Sequence, residues 1–140
     1  MNIKKWQIFA SIFCLILGTI LHFTYEWFNY NVMVGLFSAV NESVWEHLKL
    51  LFYPMFFISI IGYFKIGRKL CNYWYTQMIG VVFALIFVVV FFYTYTGIIG
   101  KNFFLLDIAS FIIFTVYPPI IPLFEDPIYG IFGIEPKRID

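Results

Sequence analysis

The sequence predicts an all-α integral membrane helical bundle of about four transmembrane helices, and three observations predict it. Hydrophobic residues make up 62% of the 140 residues and charged residues 12%, against roughly 45–50% and 25% in soluble domains. Mean hydropathy is +0.88, more apolar surface than a small soluble fold can hide; a bilayer removes the difficulty by solvating the outside of the protein. Stretches without acidic or basic charge recur at membrane-spanning length: 6–25 apart from His22, 50–64, 70–100 and 108–124. Aromatic residues then mark the edges. Trp6 to Trp27 and Trp74 to Tyr95 are each 21 residues apart, about 31 Å of helix, which matches a hydrocarbon core of ~30 Å.

The first span is read at 6–26. MNIKKW followed by an apolar run has the outline of a secretory signal, but no small-x-small cleavage pattern follows, and Phe13 before Cys14 spoils a lipoprotein signature. It is expected to be a retained span. The second is read at 44–64 and the third at 73–96, where Gly80 and Ala84 provide small-xxx-small packing positions. The fourth, 103–120, is short or re-entrant: Asp107 lies inside it and Pro118-Pro119 closes it. The Pro- and Gly-rich remainder, 118–140, reads as an interfacial tail of one transmembrane domain spanning 1–140. Cys14 and Cys71 are expected at different depths, so neither a disulfide nor a thiolate metal site is expected.

Orientation follows Lys and Arg. With the N-terminus in the cytoplasm, Lys4, Lys5, Lys65, Arg68 and Lys69 fall inside. Lys137 and Arg138 join them if the fourth segment crosses, leaving only Lys49 and Lys101 outside. The expected location is the bacterial cytoplasmic membrane. The net charge of +1 gives no polyelectrolyte signal, so nucleic acid is not expected as a partner; membrane lipid is, and so is a homo-oligomer.

This topology sorts the polar residues. NESVWEHLKL, residues 41–50, enters the second span at the outer face, where LHFTYEW of the first span arrives with His22 and Glu26. Asp107 lies about one turn into the fourth segment from the same face. The candidate polar site is therefore His22, Glu26, Asn41, Glu42, Glu46, His47, Lys49 and Asp107, because ionisable groups at membrane depth are costly unless paired, hydrated or used. His22 and Glu26 are four apart and share a helix face, as do Glu42, Glu46 and Lys49. A structural account covers part of the cluster. Ser43-Val44-Trp45-Glu46 reads as a capping box, with Ser43 capping the helix and Glu46 reaching back; Lys49 snorkels or pairs with Glu42 or Glu46. His22, Glu26, Glu42, His47 and Asp107 have no such structural need. Asn41-Glu42-Ser43 matches a glycosylation sequon at a helix start.

No nucleotide-binding, hydrolase or HExxH signature is present, and no catalytic residue or cofactor is assigned. The leading expectation is a membrane protein whose outer-face polar pocket binds a small polar ligand, an ion or a lipid headgroup. The rival is a metal-assisted membrane hydrolase, with His22, Glu26 and His47 as ligands of a divalent metal and Glu46 as general base. A cation- or proton-coupled carrier comes third, because the inner half of the spans lacks ionisable relay residues.

LHFTYEW, FSAVNESVWEHLKLLFYP, FYTYTGIIGKN, LDI and FTVYPPIIPLFEDPIYGIFGI together resemble a family of small bacterial integral membrane proteins, carried as a domain of unknown function and common in Clostridia-like Firmicutes. The resemblance runs from about residue 15 to 134, with NES-x-WEH-x-K as its core. It implies a multi-span bacterial membrane protein and carries no activity. Members of that family have a further span between the LDI and FT-x-YPP segments; here Asp107-Ile108 runs almost directly into Phe114-Thr115. The chain is thus shortened by about one span. A crossing fourth segment puts the tail inside, whereas a re-entrant 103–124 returns it to the outer face.

Overall fold

The computed structural model describes residues 3–69 and 73–116. Five α-helices account for most of them: α1 (Ile3–Trp27), α2 (Val32–Gly35), α3 (Val44–Lys65), α4 (Tyr73–Ile99) and α5 (Phe104–Val116). A short 3₁₀ turn follows α3 at Gly67–Lys69, and no strand occurs among the described residues. Three helices are long and apolar enough to cross a membrane: Lys5–Trp27, Val44–Lys65 and Tyr73–Ile99. The chain is an all-α, multi-pass membrane bundle. The first three expected spans agree with α1, α3 and α4 to within three residues at either end.

The fourth helix is shorter. α5 has 13 residues, about 20 Å of helix against a ~30 Å core. Whether the segment returns, the Pro118-Pro119 stop, the 118–140 tail and Cys71 all lie outside the described residues. α1 packs on α3, α3 on α4, and α5 closes the ring against α4 and α1. The core runs between α1, α3 and α4 through Trp6, Ala10, Cys14, Leu51, Met55 and Ala84. Gly80 and Ala84 are both buried, as their spacing predicts. The outside is apolar instead of polar: only 22%, 39% and 22% of the three spanning windows are buried, so most of their apolar surface faces outward for lipid to cover.

Two glycines decide how closely the helices approach. Pro54 sits inside α3 and has no N–H to give the Leu50 carbonyl one turn earlier. α1 brings Gly18 to that carbonyl. A Cβ at Gly18 would stand 2.9 Å from Leu50 O and 3.0 Å from the Phe111 ring, so the missing side chain lets α1, α3 and α5 meet at one point. At the other end, a Cβ on Gly62 would collide with the Tyr73 hydroxyl and press on the Trp6 ring. That hydroxyl donates to Ser59 O at 2.8 Å, and Ser59 donates to Met55 O at 2.7 Å. Trp6, expected to mark a membrane edge, is buried inside the bundle instead, because the bare backbone of Gly62 leaves room for its ring. Trp27, Trp45 and Trp74 are exposed, as interfacial anchors are.

Candidate functional site

The end of α1 and the start of α3 meet at one end of the bundle, joined by residues 28–43. No glycine stops α1. The turn is made by Asn29 and Tyr30, both left-handed with φ of 50° and 60°, a conformation that is strained for a bulky side chain. It is held by Tyr30 N–H donating to Tyr25 O at 2.9 Å and by an edge-on contact between the two tyrosine rings.

The connection then folds back and is pinned to both helices. Ser38, fully buried, accepts from Tyr25 N–H at 3.1 Å and donates to Leu21 O. Those are the two groups that an uninterrupted helix pairs with each other, so the Ser38 hydroxyl bridges the ladder of α1 beside His22. On the other side, Lys49 of α3 donates to Gly35 O at 3.0 Å and to Glu46 at 2.6 Å, while Glu46 accepts from Val40 N–H at 3.1 Å. Asn41 accepts from Ser43 N–H at 2.9 Å. Ser43 caps α3 with extended backbone angles and accepts from Glu46 N–H at 3.3 Å. The expected capping box is therefore half formed. Ser43 caps, but its own amide is held by Asn41, and Glu46 goes to Lys49 and the Val40 amide, because the tightly folded connection offers it a cation.

This scaffold brings three ligand-type side chains together. One atom each from His22, Glu42 and His47 lies within 4.8 Å of the other two. Glu42 stands between the imidazoles: Oε1 is 4.0 Å from His22 Nε2, and Oε2 is 3.5 Å from His47 Nε2. The two rings are 5.2 Å apart. The imidazole side chains are about one-third exposed, while Glu42 is 86% exposed, so the cluster has a closed floor and an open top.

Hydrogen-bond chemistry fixes the character of this triad. His47 Nδ1 is 2.9 Å from Ser43 O. A carbonyl only accepts, so Nδ1 carries the proton, and in the neutral ring Nε2 presents a lone pair. Nε2 lies 3.5 Å from a carboxylate oxygen, which only accepts. The contact becomes favourable when a positive centre stands there, either a proton on Nε2, which makes an ion pair with Glu42, or a metal ion. His22 Nδ1 is buried and has no hydrogen-bond partner among the described residues.

The remaining sequence candidates are placed elsewhere. Glu26, expected to share the site with His22, is exposed and outside the ligand group; Glu42 takes its place, carried back by the connection. Glu46 and Lys49 form a brace beneath the triad. Asp107 accepts from the Tyr95 hydroxyl between α5 and α4, and that hydroxyl also accepts from Phe103 N–H at 3.4 Å; it ties two helices together. Sequence reasoning missed Ser38, Gly18 and Tyr95. A lone serine between Phe37 and Ala39, in the uncharged stretch 27–41, was the available signal for the first; Gly18, about one turn from Cys14 along α1, had none beyond its size.

The match to known proteins covers the site. The family described as "Family of unknown function (DUF6512)" matches residues 1–112, and the chain belongs to it. No curated protein and no solved structure matches.

Proposed function

We propose that this multi-pass membrane protein binds a divalent transition-metal ion through His22, Glu42 and His47, on the outer side of a bacterial cytoplasmic membrane. The observation that carries the reading is the convergence of His22, Glu42 and His47, one ligand-type atom of each lying within 4.8 Å of the others, with the other ring nitrogen of His47 against Ser43 O. A metal ion turns the lone pairs of these three into ligands. The carbonyl contact is the usual orienting partner of a metal-bound imidazole, fixing tautomer and ring direction.

Size and donor type agree. Ligands about 2.1 Å from a tetrahedral metal lie about 3.4 Å from one another. The shortest contacts, 3.5 and 4.0 Å, go to different oxygens of Glu42, and one atom of each residue lies within 4.8 Å of the others, so the imidazoles as well as the exposed Glu42 close in by about an ångström to share one ion. Two imidazoles and one carboxylate form the donor set of open zinc and non-haem iron sites, which retain positions for water or a further ligand. Glu46, braced by Lys49 and the Val40 amide, supports a positioning role and not proton transfer. The outer side follows from the one-sided distribution of Lys and Arg.

Elemental analysis of the purified full chain tests the reading. About one equivalent of zinc, iron or manganese per chain is expected, removed by a chelator and absent from Glu42→Gln. Acidification should also release the metal, because imidazoles ligate only when deprotonated. Metal at far below one equivalent, with no restoration on adding Zn²⁺, Fe²⁺ or Mn²⁺, would refute it.

A further inference from the structure

The connection between α1 and α3 has a composition at odds with a water-exposed loop. Residues 27–41 contain no acidic, basic or histidine side chain. Its large apolar groups point outward: Trp27, Phe28, Val32, Met33 and Leu36 are all more than half exposed, Val32 and Met33 by 79% and 73%. The patch is continuous with the outward apolar faces of α1 and α3, which lipid covers, and Trp45 at the start of α3 extends it, itself 62% exposed. A chain segment of this kind at the end of a membrane bundle gains by settling into the boundary between headgroups and acyl chains, where Trp and Tyr concentrate.

The same segment ends at Asn41, one residue before Glu42. The open side of the triad therefore lies at the level of this lip. A divalent ion held by one carboxylate and two neutral imidazoles has a residual charge of one positive unit, and the adjacent Lys49 is neutralised by Glu46 at 2.6 Å. A site with that charge and an open position takes an anionic oxygen. At headgroup depth the anionic oxygen in abundance is phosphate.

We infer that residues 27–40 form a lip inserted in the headgroup layer, and that the ligand completing the metal at His22, Glu42 and His47 is the phosphate of a membrane lipid. This rests on the metal reading above. Lipid headgroup and metal then occupy one site, and the lip sets the depth at which they meet.

The test is phosphorus-31 electron–nuclear double resonance on the full chain saturated with Mn²⁺. Three preparations are compared: nanodiscs of phosphatidylcholine and phosphatidylglycerol in phosphate-free buffer, dodecyl maltoside micelles without phosphate, and the same micelles with inorganic phosphate. The expected result is a direct manganese–phosphorus coupling in nanodiscs that is lost in phosphate-free maltoside. Met33→Glu changes an exposed position and leaves the core intact; it should keep the Mn²⁺ equivalent and lose the nanodisc coupling as the lip withdraws. Bound Mn²⁺ without coupling in nanodiscs overturns the inference and leaves the metal reading standing. Coupling only after inorganic phosphate is added assigns a free-phosphate site and overturns the lipid, and an unchanged coupling in Met33→Glu overturns the lip. No bound Mn²⁺ in any preparation overturns the inference for this ion, and the metal reading itself is decided by the Zn²⁺, Fe²⁺ and Mn²⁺ additions above.

Discussion

The two ends of the bundle handle polar groups in opposite ways. At the end where α3 leaves and α4 begins, Tyr73 donates to Ser59 O and Ser59 donates to Met55 O. Neutral donors meet carbonyl acceptors, and Trp6 and Gly62 pack around them. Only the Gln7 side-chain amide, buried to 3% exposure, has no partner there among the described residues. At the end where α1 meets α3, a carboxylate stands between two imidazoles, 4.0 Å from one and 3.5 Å from the other. The first pattern is what a fold needs to bury polar groups. In the second, charge and lone pairs gather beside an open face, and under the proposed reading a metal ion completes them. Polar residues gathered at one bundle end are common in membrane helices; two imidazoles and a carboxylate drawn together from separate elements are the feature that makes this end a candidate site.

Substitutions can break this contrast from either side. The largest effect is expected for His47→Ala, which removes a ligand and its orienting carbonyl contact together. Metal affinity should fall by more than about 100-fold, beyond what loss of an orienting partner alone costs, while thermal unfolding of the metal-free protein is nearly unchanged; isothermal titration and a melting curve report the two. Gly62→Ala should do the reverse. Its methyl group collides with the Tyr73 hydroxyl, costing about 1–3 kcal/mol of stability by overpacking, with the metal-to-protein ratio preserved. Ser38→Ala tests the coupling between scaffold and site. With the bridge in α1 gone, His22 is placed less firmly, and metal affinity should drop on the order of tenfold; a loss of stability with full affinity would make Ser38 a purely structural bond. The smallest effect belongs to Tyr73→Phe, about 0.5–1.5 kcal/mol for one hydrogen bond, read from the same melting curve with metal binding untouched.

What the sequence disclosed follows from how local each signal is. Spans α1, α3 and α4 were legible because freedom from charge over about 20 residues is a property of the segment itself. Ser43 was legible as a cap for the same reason. Glu42 was present among the candidates, but its partnership was not visible. Spacing of four favoured Glu26 beside His22, and that argument holds only while the chain stays helical; the left-handed pair Asn29–Tyr30 ends the helix, and the fold-back that follows delivers Glu42 instead. The pairing of Lys49 with Glu46 was legible from their spacing of three and is observed, whereas the Val40 amide that also draws Glu46 away from the cap is brought in by the loop. The short α2 escaped notice because four residues carry no periodicity. Pro54 and Gly18 sit 36 positions apart in the sequence, and only the packing of α1 on α3 shows that the carbonyl left free by one is met by the other.

The wedge of Ser38 into α1 also has a bearing on biogenesis. His22, Ser38, Glu42 and His47 all belong to the first hairpin, and every bond that positions them is made between α1, α3 and their connection. The cluster can therefore assemble as soon as that hairpin has left the insertion machinery and folded in the bilayer, while α4 and α5 are still being synthesised. An ion captured at that stage would clamp two nascent helices in register before the rest of the bundle arrives.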